Sequence, residues 1–165
     1  MSNKYENSFS DLWKKNNGLL SAIDSVSKII DKANIKIDIY SQKLKDELYA
    51  NPEILSKLIA KLDNKAIKVR IVANKIKEDS NIKVITDFLS TKYPNFTFLE
   101  LNKNEPEDML DFIISDDKYI RIEFDKEGNR ARFIDGDEAG EQKEAQDWIP
   151  NLNKRLQSII DKKSS

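Results

Sequence analysis

The side chains that could do chemistry in this 165-residue chain are carboxylates, amines and hydroxyls, because it contains no histidine and no cysteine. The commonest general base, the imidazole nucleophile, most zinc sites, thiol chemistry, disulfides and iron–sulfur clusters are excluded at once. A metal site would have to be built from oxygen ligands. The carboxylates gather in one stretch: from Glu105 to Glu127 there are nine acidic residues against three basic ones. Within it Asp111, Asp116 and Glu123 offer oxygen ligands for Mg²⁺ or Ca²⁺, and with them a metal-dependent phosphodiester hydrolase. Each also has a plainer role. Asp is common in tight turns, which suits Asp116. Asp111 can sit at a sheet edge, solvated or paired with Lys or Arg, since an unpaired buried carboxylate is costly. No general base or phosphate-binding loop accompanies them, so neither a metal nor another cofactor is assigned.

The amines gather elsewhere. From Lys57 to Lys77 there are seven basic residues against one acidic. Lys57, Lys61, Lys65, Lys68 and Arg70 form a candidate binding surface that could contact phosphates, or simply a solvated face. A weak nucleic-acid module is therefore one alternative, but the acidic block opposes it and nucleic acid is not the expected partner. Tyr40-Ser41 closes a strand at the carboxyl end, where open α/β sheets bind ligands. Trp13 and Trp148 read as core or interface anchors.

The elements that would position these residues follow from apolar spacing. Asp111 and Asp116 flank Phe112-Ile113-Ile114, a continuous apolar run that predicts a strand covered on both faces. Ser115-Asp116-Asp117-Lys118 is a hairpin link. Tyr119, Ile120, Ile122 and Phe124 predict a second strand nearer the edge, half in water. Upstream, Leu12 to Ile30 carries a helical stripe, with Ser10 or Asp11 as cap and a weak point at Asn16-Asn17-Gly18. Ile35 to Tyr40 alternates as a strand. Lys43 to Ala50 reads as a polar link. Asn51-Pro52 starts a helix, Ile67 to Val72 is a strand, Asp79 or Ser80 opens a third helix, and Phe96 to Leu99 is a third strand. An acidic loop, Asn104 to Asp108, precedes the hairpin. Gly128-Asn129 turns into Arg130–Ile134, and a last helix runs from about Glu138 to Lys162, with a kink or restart expected at Pro150.

This order predicts an α/β fold: a mixed, mostly parallel sheet of about six strands with helices on both faces. The length fits a single domain, residues 1–165, with residues 1–9 as a flexible tail. The near-neutral formal charge of −1 and the lack of a membrane-length apolar stretch or a signal-like N-terminus predict a cytoplasmic protein that does not enter a membrane.

From about Leu19 to Leu156 the order of elements, with Ile-Asp-Ile-Tyr-Ser, Val-Arg-Ile-Val and Asp-Phe-Ile-Ile-Ser-Asp-Asp-Lys-Tyr as landmarks, resembles a single phospholipase D-like domain. In that superfamily a His-x-Lys-x-x-x-x-Asp motif opens the corresponding hairpin. The His attacks phosphorus and the Lys binds phosphate oxygens. Met109 falls at the His position, Asp111 at the Lys position and Asp116 at the Asp position, so only the last matches. Methionine cannot attack phosphorus. A charge on Asp111 about 4 Å from a phosphate oxygen would repel it by roughly 4 kcal/mol at an effective dielectric near 20. The resemblance with this degenerate motif implies a catalytically inactive domain, not an enzyme, that binds or regulates an unidentified protein partner. It also implies a homodimer. The acidic hairpin would oppose its own copy across the usual axis, which leaves either a monomer or a dimer through another surface such as the first helix with Leu12 and Trp13.

Overall fold

β-branched and aromatic residues at period two build the sheet, and the helices between them decide which strands pair in parallel. β1 (Lys36–Ser41) is central. It pairs in parallel with β2 (Lys68–Ala73) and antiparallel with β4 (Phe112–Ser115). β3 (Phe96–Glu100) lies parallel outside β2, while β5 (Tyr119–Glu123) and β6 (Ala131–Asp135) extend the other side as antiparallel hairpins, for the order β3-β2-β1-β4-β5-β6. Four of the six strands, β1, β2, β3 and β5, point the same way, while parallel contacts are confined to β1–β2–β3. The computed structural model describes residues 18–103, 109–124 and 130–164. The tail at 1–9, the cap at Ser10 or Asp11, Leu12, Trp13, the joint at Asn16-Asn17, the loop at 104–108 and the turn at Gly128-Asn129 lie outside them.

Alternation sends side chains to two cores. Ile37, Ile39, Val69, Ile71 and Ile113 face α1 (Gly18–Lys32), α3 (Pro52–Leu62) and α4 (Asn81–Lys92). Tyr40, Val72, Phe112, Ile114, Ile120, Ile122 and Ile134 face Ile149, Leu152, Leu156 and Ile159 of α5 (Gln142–Ser164). Each fully buried Ile or Leu contributes about 1.5–3 kcal/mol. The helix starts are capped as their sequences suggest: Asn51 accepts from the amides of Glu53 and Ile54, with Pro52 at the first helical position, and Ser80 accepts from Ile82. The link before α3 is less polar than expected. It forms a short helix, α2 (Asp46–Tyr49), and buries Leu44, Leu48 and Tyr49.

Two expectations change. β5 is buried rather than half in water, because its polar residue, Arg121, is 4% exposed beneath α1. There Arg121 donates to Ser25 Oγ and Glu123 at 2.8 Å each, so the charge enters the interior with its partners. α5 also runs through Pro150 without a restart. Pro150 removes a single donor, the one to the Gln146 carbonyl, and the apolar stripe on either side holds both halves on the sheet.

The hairpin turn fixes the register. Asp116 and Asp117 both adopt positive φ, 57° and 54°, and the Lys118 amide donates to the Ser115 carbonyl at 3.0 Å, the pattern of a type I′ turn. The Asp116 carboxylate accepts from the amides of Asn34, Ile35 and Lys36 at 2.8–3.0 Å. Asp116→Ala removes three hydrogen bonds to a charged acceptor and places Ala in the left-handed region. Urea unfolding should show a loss of about 2–4 kcal/mol, with Asp116→Asn retaining about half of the lost stability; a loss below about 0.5 kcal/mol would contradict this role.

Candidate functional site

Because β4 runs against β1, the residue just before β4 arrives at the carboxyl end of β1. That residue is Asp111. Ser41 Oγ, at the end of β1, donates to Asp111 Oδ2 at 3.1 Å, and the Gln42 amide donates to Asp111 Oδ1 at 3.1 Å. The Leu44 amide in turn donates to Ser41 Oγ at 2.9 Å, which orients the hydroxyl. Gln42 Nε2 donates to the Met109 carbonyl at 3.3 Å. On the neighbouring strand the Glu123 amide donates to the Asp111 carbonyl at 2.9 Å. Glu123 is in turn paired with the buried Arg121.

The electrostatics of this corner set its chemistry. Burial pushes the Asp111 carboxyl up to about 6. The Gln42 amide and the Ser41 hydroxyl oppose that rise, the charge of Glu123 adds to it, and the charge of Lys45 lowers it again. Burial also raises the phenol of Tyr49 above its ordinary value. The result is a half-buried carboxyl that titrates near neutral pH with a hydroxyl against it, an arrangement able to accept or donate a proton.

The structure separates the carboxylates grouped by sequence. Asp111 and Asp116 stand at opposite ends of β4, about 16 Å apart at the usual rise per residue. Asp116 binds backbone amides, so it shares no site with Asp111 and Glu123. Among the described residues no three His, Cys, Asp or Glu side chains come together as a metal site. Of the two edge roles, solvated or paired with Lys or Arg, no ion pair forms at Asp111 among the described residues; Ser41 and Gln42 hold it instead. Met109 is 5% exposed and packs in the core beneath α5.

The basic block is not one surface either. Lys57 pairs with Asp31 at 2.5 Å. Lys61 donates to the carbonyls of Asp31 and Ala33 at 3.0 and 2.7 Å, which caps the carboxyl end of α1. Lys65 is exposed beyond α3. Lys68 and Arg70 sit on β2, where Arg70 Nε pairs with Asp38 at 2.9 Å. Ser41 was visible in the sequence as a strand end. Gln42 was not, because it contributes a backbone amide, which no residue pattern reveals. The pairing of buried Asp38 with half-buried Arg70 was missed because a charged residue inside an alternating strand reads as solvent-facing.

No family model and no curated protein matches the sequence. The structure does match a solved one, NucT from Helicobacter pylori, with a TM-score of 0.55 and 19% identity over 87% of this chain and 89% of that one. The fold is phospholipase D-like. NucT is a nuclease of the phospholipase D family, and this likeness overturns the expectation that the chain is not an enzyme. That expectation rested on the motif positions alone. No helix among the described residues is long and apolar enough to cross a membrane.

The raised Asp111 carboxyl makes stability depend on pH. Its folded value, about 6, exceeds its unfolded one, so the native state holds a proton more tightly and loses stability as pH rises from about 4 through about 6. Asp111→Asn, which cannot ionise, should gain on the parent across that window by about 1–3 kcal/mol in denaturant titrations. A difference between the two proteins that stays flat from pH 4 to about 8 would show that Asp111 is not perturbed.

Proposed function

We propose that this chain hydrolyses a phosphodiester at the Asp111 end of the sheet, with Asp111 as the proton-transfer group. The observation that carries this is the carboxyl at about 6 with Ser41 Oγ at 3.1 Å, at the hairpin position where the resemblance puts the superfamily's phosphate-handling side chain. The likeness to NucT supports the substrate class. With no histidine in the chain, the attacking group is water. Ionised Asp111 takes a proton from water as its oxygen bonds to phosphorus. The proton returns to the leaving alkoxide as that P–O bond breaks, giving a phosphomonoester and an alcohol. Lys45 supplies positive charge against the phosphate and Asp111. Purified protein assayed on bis(p-nitrophenyl) phosphate, plasmid DNA and phospholipid should turn over at least one of them. The rate should rise with pH through about 6, following the ionised base, and Asp111→Asn should lose about 100-fold or more. Rates equal to those of Asp111→Asn on all three substrates would overturn this reading.

A second reading, a protein-binding module, is favoured by the aromatic pair beside this corner. Phe124 is 45% exposed and stands edge-on to Trp148 at 6.2 Å, next to Glu123. An exposed aromatic anchor beside carboxylates suits a basic, apolar peptide. Peptide display should select such sequences, and Phe124→Ala should weaken their binding about 10-fold or more. Selection of acidic peptides, or binding indifferent to Phe124→Ala, would reject it.

A further inference from the structure

α5 lies over β5 and β6 and leaves the starts of β1, β2 and β3 incompletely covered on that face. The gap is a half-open cavity of about 530 Å³, with Lys36, Asp38, Lys68, Arg70 and Thr97 on its sheet wall and Gln157 of α5 opposite. It lies at the far end of β1 from Asp111, so it is independent of the hydrolase reading.

Three cations line this cavity against one carboxylate. Lys36 and Lys68 are direct cross-strand partners in the β1–β2 register, and like charges placed side by side on a sheet repel. Lys36 is relieved by Asp117 at 3.0 Å. Lys68 has no ion pair among the described residues. Arg70 uses Nε to bind Asp38, which is 5% exposed, and its two terminal nitrogens have no recorded partner among the described residues. Asp38 therefore aims the guanidinium while leaving its fork available, and a planar fork beside an ammonium is matched to the oxygens of a phosphate. Thr97 adds a hydroxyl. The volume falls in the range of small-molecule sites, roughly 300–1,000 Å³, and three cations are too few to track a long nucleic-acid backbone.

We propose that this cavity binds the phosphate group of a nucleotide-sized molecule through Lys68 and Arg70, with Lys36 contributing charge.

Calorimetric titration of the full chain with inorganic phosphate, AMP and a short oligothymidylate tests this. Phosphate and AMP should both bind, AMP more tightly, and added salt should weaken both. Lys68→Ala, which alters an exposed side chain, should weaken AMP binding about 10-fold or more, and Arg70→Lys, which keeps the charge but loses the fork, should do likewise. Asp111→Asn should leave AMP binding unchanged, which separates this site from the proposed hydrolytic one. No binding of phosphate or AMP up to about 10 mM, which corresponds to negligible affinity, would overturn the proposal. So would AMP binding untouched by both cavity variants, AMP binding lost in Asp111→Asn, or oligothymidylate binding without AMP binding.

Discussion

One carboxylate joins the two halves of this fold. Asp116 sits at the tip of the β4–β5 hairpin and accepts from three consecutive amides between α1 and β1. Those amides begin the central strand. The three bonds tie that start to a turn 80 to 82 residues further along the chain, and a charged acceptor makes each stronger than a bond between neutral groups. With it, the antiparallel hairpin is set in register against a strand whose other neighbour is parallel. Asp111 then meets Ser41 and Gln42 because the same register fixes both ends of β4. The candidate site at one end therefore depends on a turn at the other.

The sheet explains why charge behaves differently at its two ends. At the carboxyl end of β1, Asp111 is partly buried with two neutral donors and a nearby glutamate, so its ionised form is penalised. At the amino end, Asp38 is more deeply buried but meets Arg70 directly. The same residue type serves in one place as a carboxyl raised by burial and in the other as the partner of a guanidinium. Local composition does not distinguish them; their neighbours across the sheet do.

Much of the architecture was legible because apolar spacing is periodic. Ile37, Ile39 and Tyr40, the run Phe112–Ile114 and the helical stripes each marked an element that formed, and the order of helices and strands implied the pairing. The site was less legible. Asp111 and Asp116 look alike five residues apart, yet one binds a hydroxyl and an amide at a strand end and the other binds a loop, and the separation comes from strand length rather than residue type. The basic block looked continuous along the chain, but Lys57 and Lys61 turn toward α1 while Lys68 and Arg70 line a sheet face. Arg121 misled for a related reason: a polar residue at an alternating position implies solvent unless its partners, Ser25 and Glu123, are known to lie beneath the helix.

The junction of β1 with β4 also bears on the order in which the chain can fold. β4, β5 and β6 pair with one another in sequence order, while the pairing of β4 with β1, from Ile37 to Ser115, closes a loop of more than 70 residues. Local pairings cost little loop entropy, and long closures cost more and come later. The hairpin unit and the β1–β2–β3 unit are thus two locally closing modules whose docking across β1 and β4 is the slow step. Until that docking occurs, the exposed edges of β1 and β4 are open to another strand, so the interval before closure is when the chain is most prone to pair with a second molecule.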